Sequence, residues 1–325
     1  MKYARLGRSG LVVSRFTLGC MSFGDPAKGA HAWTVSIDEA RKVVHAALDA
    51  GVTVFDTANL YSDGSSEEII GTLLQEAGVR DEIVLATKVW ARMAPGPKGG
   101  GLSRAAILRQ VDESLRRLRT DYIDLYQIHR FDPDVPVEET MEALHDLIRA
   151  GKVRYIGASS MFAWQFAKLQ HAADLNGLTP FVSMQDQYNL LMREEEREMH
   201  PYCADRGVGI MAWSPLARGR LAIAWGETTG RIETDVYGAT LYTQDQNSNR
   251  AIIDAVGRIA SERGVSRAQI ALAWVLGKSP VNTAILGPTQ VDQLSDCLAA
   301  VDLELTAEEV ASIEQPYTAR DIPVF

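Results

Sequence analysis

The sequence predicts an α/β fold, a closed (β/α)8 or TIM barrel with an N-terminal hairpin and an extra C-terminal helix. Short apolar runs rich in Val, Ile, Leu and Phe alternate with longer amphipathic stretches, as in a parallel sheet covered by helices. There are eight such runs, the number that closes a parallel barrel. No linker or low-complexity segment divides the 325 residues, so we expect one domain over 1–325.

The barrel strands follow one another along the chain, beginning at Phe16. The first dozen residues precede them, and we expect these residues to form a hairpin that closes the barrel floor. The predicted strands cover 16–21, 53–58, 82–89, 122–129, 155–160, 181–188, 209–215 and 283–288.

Amphipathic helices with recognisable ends lie between the strands. The first has Ser36 as its N-cap, Glu39 three residues later and Gly51 at its end, a capping box with a C-terminal glycine. Another carries Pro136 in its first turn. Similar helices are expected after the second, fifth, sixth, seventh and eighth strands. The helices with clear signals cover 36–51, 103–118 and 136–151, and the extra helix covers 306–315.

A doubly wound sheet is the alternative α/β architecture. It would need a glycine-rich turn between the first strand and the first helix, and residues 20–36 contain no G-x-G-x-x-G. The barrel is therefore favoured. The charged run at 193–200, REEEREMH, is interpreted as a solvated helix start with i,i+4 pairs.

Charge and composition restrict the class of partner. The net charge is −9 with a pI near 5.3, and no Lys/Arg-rich run could neutralise a row of phosphates, so nucleic acid is not expected to bind. The N-terminal residues lack the apolar stretch of a signal peptide or a membrane helix, which predicts a cytoplasmic protein without a membrane partner. Monomer and homo-oligomer both stay open.

Three cysteines, Cys20, Cys203 and Cys297, lie far apart in the sequence. They are odd in number and fall outside any C-x-x-C or Cys/His ligand spacing. Neither a disulfide framework nor a structural metal is expected.

Four polar residues fall where predicted strands give way to their loops. Asp56 ends the second strand and Tyr61 follows in its loop, whereas Lys88 ends the third strand and His129 the fourth. Active sites of (β/α)8 barrels lie at this carboxyl end. Since successive strands are neighbours, these four side chains should meet over one opening.

The four residue types suit proton transfer to a carbonyl that receives a hydride. A tyrosine phenol, with an ordinary pKa of about 10, is too weak an acid unless its anion is stabilised. A nearby lysine ammonium favours the phenolate, and a carboxylate behind the lysine keeps it charged. Asp56 would support Lys88, Lys88 would activate Tyr61, and His129 would position the substrate oxygen by hydrogen bonding.

Each residue also has a simpler interpretation. The charged pair can be a buried salt bridge, and a strand-end histidine can be a structural residue. A second catalytic hypothesis is a Schiff-base lyase, because barrel enzymes also use a strand-end lysine such as Lys88 as a nucleophile. As a set on three consecutive strands, the four residues favour a functional role over these structural ones.

The sequence resembles the aldo-keto reductase superfamily over nearly its whole length. The matching motifs are FDTANLYSDGSSEEIIG with Asp56 and Tyr61, ATKV with Lys88, and DYIDLYQIHR with His129, followed by GKVRYIGASS, MQDQYNL and AWSPLARG. It looks closest to the bacterial branch related to the potassium-channel β subunits. That likeness adds a third hypothesis, a slowly turning NADP(H)-binding redox sensor.

The resemblance implies a nicotinamide cofactor extended across the barrel mouth. Ser159 and Gln185 would hold the carboxamide, and Trp213 would stack on the nicotinamide. Residues 214–219 would wrap the pyrophosphate with backbone N–H groups, with Arg218 adding positive charge. The implied cofactor-binding residues are Gly19, Cys20, Met21, Asp56, Ser159, Ser160, Gln185, Trp213, Ser214, Pro215, Leu216, Ala217, Arg218, Gly219, Arg231, Gly287, Thr289, Gln293, Asp296 and Cys297.

Three positions depart from the superfamily pattern. Ser160 and Cys297 stand where many members have Asn, so cofactor contacts there should differ. Thr289 stands where many have Arg or Lys, which removes a clamp for the 2′-phosphate, and Arg231 could supply the missing charge. NADPH is expected in preference to NADH.

The carbonyl substrate is expected in a mostly apolar cleft formed by the loops after the strands. The expected pocket residues are Trp33, Tyr61, Trp90, His129 and Phe131, with Trp225 a further aromatic candidate for its wall. The aromatics could equally pack beneath the loops. The stretch 91–101, ARMAPGPKGGG, is a candidate lid.

Overall fold

Eight parallel strands form a closed barrel in the computed structural model, which describes residues 1–28, 31, 33–96 and 99–322. Each predicted strand is present, and the last barrel strand pairs with the first to close the barrel. The (β/α)8 prediction is therefore confirmed. The strands are β3 Phe16–Gly19, β4 Val54–Asp56, β5 Val84–Val89, β6 Ile123–Ile128, β7 Val153–Ser159, β8 Ser183–Gln187, β9 Gly209–Trp213 and β10 Val281–Leu286.

Helices cover the outside of the barrel, and their apolar faces form the larger core against the strands. The Glu39 carboxylate accepts a hydrogen bond from the Ser36 N–H at 3.2 Å, as expected for a capping box. The helices are α1 Ile37–Asp49, α2 Ser65–Ala77, α3 Arg104–Leu118, α4 Val137–Arg149, α5 Ala163–Asn176, α6 Met199–Arg206, α7 Gly230–Thr234, α8 Val236–Leu241, α9 Gln246–Arg263, α10 Arg267–Gly277, α11 Val291–Leu298 and α12 Ala307–Glu314. In the part of the chain that is described, no helix is both long and apolar enough to cross a bilayer.

The N-terminal hairpin lies at the floor of the barrel, as the sequence predicts. Its strands, β1 Tyr3–Arg5 and β2 Val12–Ser14, pair antiparallel. Leu6 and Val13 are fully buried against apolar side chains of the barrel interior, including Leu125. This smaller core closes the floor of the barrel, and the polar side chains of the barrel interior lie at its mouth.

Strand alternation places the polar residues inside the mouth. Because side chains alternate along a strand, Val84, Ala86 and Lys88 share the inner face of β5. Lys88 is level with Gln127 on β6, and Asp56 is level with Ala86. The small side chain of Ala86 leaves space beside the Asp56 carboxylate.

The charged run at 193–200 differs from its prediction. Residues Glu194–Glu196 form a single turn of 3-10 helix, and α6 begins only at Met199. Glu194 and Glu195 are buried, and the ion pairs have i,i+3 spacing, as in Arg193 with Glu196. The interpretation as a solvated helix start was wrong, because the segment packs against the C-terminal residues through the Tyr317 hydroxyl.

A long connection, residues 214–245, joins β9 to α9 and contains α7 and α8. A buried ion pair between Arg218 and Asp235 fixes its middle. At its end, the Tyr242 hydroxyl accepts hydrogen bonds from Gln187 at 2.9 Å and Asn189 at 3.1 Å. The connection thus crosses one side of the barrel mouth in a defined conformation.

Candidate active site

Asp56, Tyr61 and Lys88 meet at the mouth of the barrel, as predicted. The Lys88 Nζ atom donates to Asp56 Oδ1 at 2.5 Å, to the Thr57 carbonyl at 2.9 Å and to the Tyr61 hydroxyl at 3.2 Å. Three acceptors satisfy the three N–H bonds of an ammonium group. The geometry is that of a charged lysine held between a carboxylate and a phenol.

Lys88 is completely buried. Burial lowers its pKa, but the Asp56 carboxylate and the Tyr61 hydroxyl outweigh this effect and raise the pKa above the ordinary value of 10.5. The amine therefore carries its proton throughout the physiological range.

The second carboxylate oxygen of Asp56 is also occupied. Asp56 Oδ2 accepts a hydrogen bond from Gln127 Nε2 at 2.9 Å and another from Gln185 Nε2 at 2.9 Å. Sequence reasoning missed Gln127, although it lies two residues before His129 and so on the same face of its strand. That spacing was the signal that could have found it.

His129 lies beside Tyr61, with ring centroids 5.8 Å apart and ring planes at 83°. Burial, together with the charges of Lys88 and Arg130, holds the pKa of His129 well below its ordinary 6.5. The imidazole is therefore neutral near pH 7. Its Nδ1 atom is buried without a hydrogen-bond partner among the described residues.

The loop that carries Tyr61 is sharply turned. Ser62 and Asp63 adopt left-handed conformations with φ of 48° and 51°. Gly64 follows with φ of 89°, and a Cβ there would lie 2.9 Å from the Arg117 side chain, so glycine is required. Such turns cluster at functional sites, where the surroundings hold them in place.

A cavity of about 1100 Å³ extends from this cluster across the barrel mouth. It is bordered by Tyr61 and His129 at one end and by the start of α11 at the other. Two of the implied cofactor residues, Cys20 and Ala217, are fully buried and are not among its lining residues in the described part of the chain. The implied cofactor residues that line it are Gly19, Met21, Asp56, Ser159, Ser160, Gln185, Trp213, Ser214, Pro215, Leu216, Arg218, Gly219, Arg231, Gly287, Thr289, Gln293, Asp296 and Cys297.

Ser160 fixes the indole of Trp213 at the Tyr61 end. The Trp213 Nε1 donates to Ser160 Oγ at 3.0 Å, and that oxygen lies 3.2 Å from Ser159 Oγ. Ser160 has a left-handed backbone with φ of 47°. The serine that replaces Asn here thus orients an aromatic ring that faces the cavity.

The segment 214–219 is a tightly turned loop. Ser214, Ala217, Arg218 and Gly219 all have positive φ, between 48° and 101°. The N–H groups of Ala217 and Gly219 already bond to carbonyls within the segment. The positive charge expected of Arg218 is neutralised, since Asp235 accepts hydrogen bonds from Arg218 Nε and, at 2.9 Å, from Arg218 Nη2.

Arg231 lies at the far end of the cavity. Its Nη1 donates to the Gly287 carbonyl at 3.0 Å, and its guanidinium lies 4.3 Å from the centre of the Trp33 ring. The Nε atom is buried and has no partner in the described part of the chain. Burial and the charge of Arg218 lower the pKa of Arg231 to about 10, which still leaves it charged at neutral pH.

The side chains at the start of α11 bond to their neighbours. Gln293 Oε1 accepts from the Thr289 N–H at 3.0 Å, and Asp296 accepts from Ser266 at 2.7 Å and from Gln269 at 2.7 Å. Burial and the charge of Asp296 raise the pKa of Cys297 to about 12, so it stays a neutral thiol.

Of the residues expected in the substrate pocket, Tyr61 and His129 line the cavity, whereas Trp33, Trp90, Phe131 and Trp225 are not among its lining residues in the described part of the chain. Trp33 packs beneath Arg231, and Phe131 contacts Trp164 with centroids 6.0 Å apart. Trp90 is 36% exposed and Trp225 is 37% exposed. Their contact with substrate stays a prediction.

Gln110 of α3 organises the candidate lid, residues 91–101. Its Nε2 lies 3.4 Å from the carbonyls of both Ala91 and Gly99, and its Oε1 accepts from Asn59 in the Tyr61 loop. Residues 97 and 98 of this stretch lie outside the described residues. The described part is thus tied to the loop that carries Tyr61.

The chain belongs to the aldo/keto reductase family, whose model matches residues 15–317. It is 43% identical to a versiconal hemiacetal acetate reductase of Aspergillus parasiticus, over 99% of this chain and 98% of that protein. It is 42% identical to an aldo-keto reductase of Alternaria alternata, over 98% of this chain and 92% of that protein. A Schizosaccharomyces pombe protein named as an aryl-alcohol dehydrogenase is 42% identical, over 97% of this chain and 95% of its own.

Membership of this family makes the protein an oxidoreductase that acts on carbonyl compounds with a nicotinamide cofactor, NADH or NADPH. The relatives named above are fungal. They give no support to the narrower expectation of the bacterial branch related to channel β subunits.

Proposed function

We propose that this protein is an NADPH-dependent reductase of aldehydes or ketones, in which Tyr61 is the proton donor. The contact that carries the proposal is the 3.2 Å hydrogen bond between Lys88 Nζ and the Tyr61 hydroxyl, with Asp56 behind the lysine. NADPH, when bound, supplies the hydride. The residues of this chain then have to orient the carbonyl and move one proton.

The proton transfer follows from the charges around Tyr61. As the carbonyl carbon gains a hydride, its oxygen becomes basic and takes the hydroxyl proton of Tyr61. The phenolate left behind lies beside the Lys88 ammonium, which stabilises it. Neutral His129 donates a hydrogen bond to the same oxygen and so sets its position.

The preference for NADPH rests on Arg231. Its guanidinium has no carboxylate partner in the described ranges, and its buried Nε lacks a hydrogen bond. It lies against Gly287, two residues before Thr289, the position at which many members of the superfamily carry an Arg or Lys clamp for the 2′-phosphate. A dianionic 2′-phosphate would satisfy both the charge and the free N–H.

The observed geometry disfavours a Schiff-base lyase. A nucleophilic lysine must lose its proton, whereas Lys88 is held charged by Asp56 and donates all three N–H bonds. A slow redox sensor would use the same cofactor site. Multiple-turnover kinetics, with NADPH consumed well beyond one equivalent, separate a working reductase from that sensor.

For the substrate we propose aryl or other largely apolar aldehydes and ketones. The side chains of Leu60, Met21 and Trp213 line the cavity together with Tyr61. The name of the Schizosaccharomyces pombe relative, an aryl-alcohol dehydrogenase, points to aromatic substrates as well. An apolar wall binds such compounds in preference to polyhydroxylated sugars.

The replacement Tyr61→Phe tests the proposal. We expect NADPH binding, followed by fluorescence quenching, to be retained, while kcat for an aryl aldehyde falls by about 100-fold or more. The control is Tyr126→Phe, because the Tyr126 hydroxyl is buried and has no partner among the described residues. An unchanged rate in Tyr61→Phe would remove Tyr61 as the proton donor.

A further inference from the structure

Three strands bring their polar side chains together around the Asp56 carboxylate. Asp56 on β4, Gln127 on β6 and Gln185 on β8 are all buried. Side chains from alternate strands form one layer inside a barrel of this kind. Gln127 and Gln185 each donate to Asp56 Oδ2 at 2.9 Å, and Gln185 Nε2 also lies 3.2 Å from Gln127 Oε1.

The carboxylate dictates how both amides are turned. An ionised carboxylate only accepts hydrogen bonds, so each glutamine must present its nitrogen to Asp56. Gln127 then has its oxygen free to accept from Gln185, which uses up the Gln185 amide nitrogen. The side-chain oxygen of Gln185 is the atom left for a ligand in the cavity that this residue lines.

We propose that Gln127 is a positioning residue, which holds the Asp56 carboxylate toward Lys88 and turns the side-chain oxygen of Gln185 toward the cavity. The inference rests on the proposed function, because it assigns Gln185 Oε1 to a donor such as the carboxamide N–H of the cofactor. Gln127 itself does not line the cavity as described and acts through its neighbours.

This arrangement couples the cofactor end of the site to the acid. One hydrogen-bonded chain runs from Gln185 through Asp56 and Lys88 to Tyr61. Without Gln127, Asp56 Oδ2 keeps one donor instead of two, and nothing fixes the Gln185 amide from the β6 side. The hydrogen bond from Gln185 to the carboxamide and the stabilisation of the Tyr61 phenolate by Lys88 should then weaken together.

The first test measures binding, with no turnover. NADP⁺ is compared with its 3-acetylpyridine analogue, whose acetyl group lacks the carboxamide N–H donor. We expect the parent to bind NADP⁺ on the order of 10-fold more tightly than the analogue, the size of one buried hydrogen bond. In Gln127→Met, which keeps the length of the side chain, this preference should fall to about twofold or less.

The control for burial is Gln170→Met. Gln170 is as deeply buried as Gln127 but bonds to the backbone of Phe181, away from the site. The variant Gln170→Met should be less stable than the parent but should keep the parent's preference for NADP⁺ over the 3-acetylpyridine analogue. Thermal unfolding of both variants shows whether a change in affinity merely follows a change in stability.

The second test uses the rate and its pH dependence. In Gln127→Met, kcat should fall about 10-fold while KM for the carbonyl stays within about threefold of the parent. In Gln127→Glu, a protonated side chain can donate to Asp56 and an ionised one cannot. Its kcat should therefore approach the parent's at acidic pH and fall as the pH rises, a pattern that a merely structural role would not produce.

The outcomes distinguish this inference from the proposed function. If the parent binds neither NADPH nor NADP⁺, both fail. If the parent binds and reduces as proposed, but folded Gln127→Met keeps the parent's kcat and its preference for the carboxamide, the role of Gln127 is overturned and the proposed function stands.

Discussion

The ammonium nitrogen of Lys88 lies 3.2 Å from the hydroxyl of Tyr61, although the two residues are 27 positions apart in the sequence. Lys88 is the last residue but one of β5, and Tyr61 lies in the sharp turn after the neighbouring strand β4. Parallel pairing is what turns this sequence distance into a contact. The Asp56 carboxylate completes the contact from the opposite side of the ammonium.

Removing that carboxylate should shift the pH dependence of the reaction. In Asp56→Asn, the burial of Lys88 is no longer offset, so its pKa falls and it loses its proton at a lower pH than in the parent. We expect kcat to fall about 100-fold. The basic limb of the kcat–pH profile should move to lower pH.

The control for Asp56→Asn is Asp124→Asn. The Asp124 carboxylate also lies on a barrel strand, but it forms an ion pair with Arg80 at 2.8 Å and accepts a hydrogen bond from the Leu85 N–H at 3.0 Å. Its loss should affect thermal stability and leave the pH profile in place. If the basic limb of the kcat–pH profile of folded Asp56→Asn lies at the same pH as that of the parent, the role given to the Asp56 carboxylate is contradicted.

Replacing Arg231 should reduce the preference for NADPH. Arg231→Leu removes the charge proposed to meet the 2′-phosphate, so Kd for NADPH should rise about 10-fold or more, as for the loss of a charge-assisted hydrogen bond. Kd for NADH should stay within about twofold. Fluorescence quenching measures both. Arg220→Leu, which removes another arginine of the same connection, is the matched control and should keep the parent's preference for NADPH. An equal loss of affinity for NADPH and NADH in Arg231→Leu would argue against a contact with the 2′-phosphate.

The neutrality of His129 predicts how stability depends on pH. Its pKa in the folded protein lies well below the 6.5 of an unfolded chain, so the unfolded state binds more protons between the two values. The contribution of His129 to stability is therefore highest above pH 6.5. It should fall by about 1.4 kcal/mol per pH unit as the pH drops through this window.

Comparison with His129→Gln isolates this effect. The thermal midpoint of the parent should fall more steeply than that of the variant between pH 7 and pH 5. His45→Gln, which changes an exposed histidine on α1, should follow the parent. If the thermal midpoints of the parent and of His129→Gln fall in parallel as the pH drops, protonation of His129 does not destabilise the folded protein, and the prediction is wrong.

The sequence was sufficient to predict the barrel and the proximity of Asp56, Tyr61, Lys88 and His129, because both depend on short-range patterns. Strands and helices were recognisable from periodicity, and the rule that barrel sites lie at strand ends brought Asp56, Tyr61, Lys88 and His129 together. Their observed proximity needs only the order of the strands. It does not need the details of any loop.

Other features depend on packing that the sequence does not display. Glu194 and Glu195 look like solvated charges in the sequence but are buried, and Glu194 accepts a hydrogen bond from the N–H of the C-terminal residue Arg320. Arg218 was expected to carry free charge, yet Asp235 lies against it because α7 folds the connection back on itself. Contacts of this kind arise from the path of a long loop, which local patterns do not specify.

The ion pair between Arg218 and Asp235 leads to a prediction that links the 214–245 connection to the cofactor. Both side chains are about 97% buried, since their exposed fractions are 3% and 2%. Removing one partner of such a pair leaves a buried charge uncompensated and costs about 3–5 kcal/mol. Asp235→Asn should therefore lower the thermal midpoint of the protein without cofactor.

An anion near Arg218 should reverse much of that loss. Arg218 lines the cavity, and the pyrophosphate is proposed to lie along residues 214–219, so its negative charge would replace that of Asp235. Saturating NADP⁺ should raise the midpoint of Asp235→Asn more than that of the parent, as measured by thermal unfolding with and without the nucleotide. In Arg263→Gln, which breaks an ion pair with Glu309 away from the cavity, NADP⁺ should give only the parent's increment. An equal increment in Asp235→Asn and the parent would place the pyrophosphate away from Arg218.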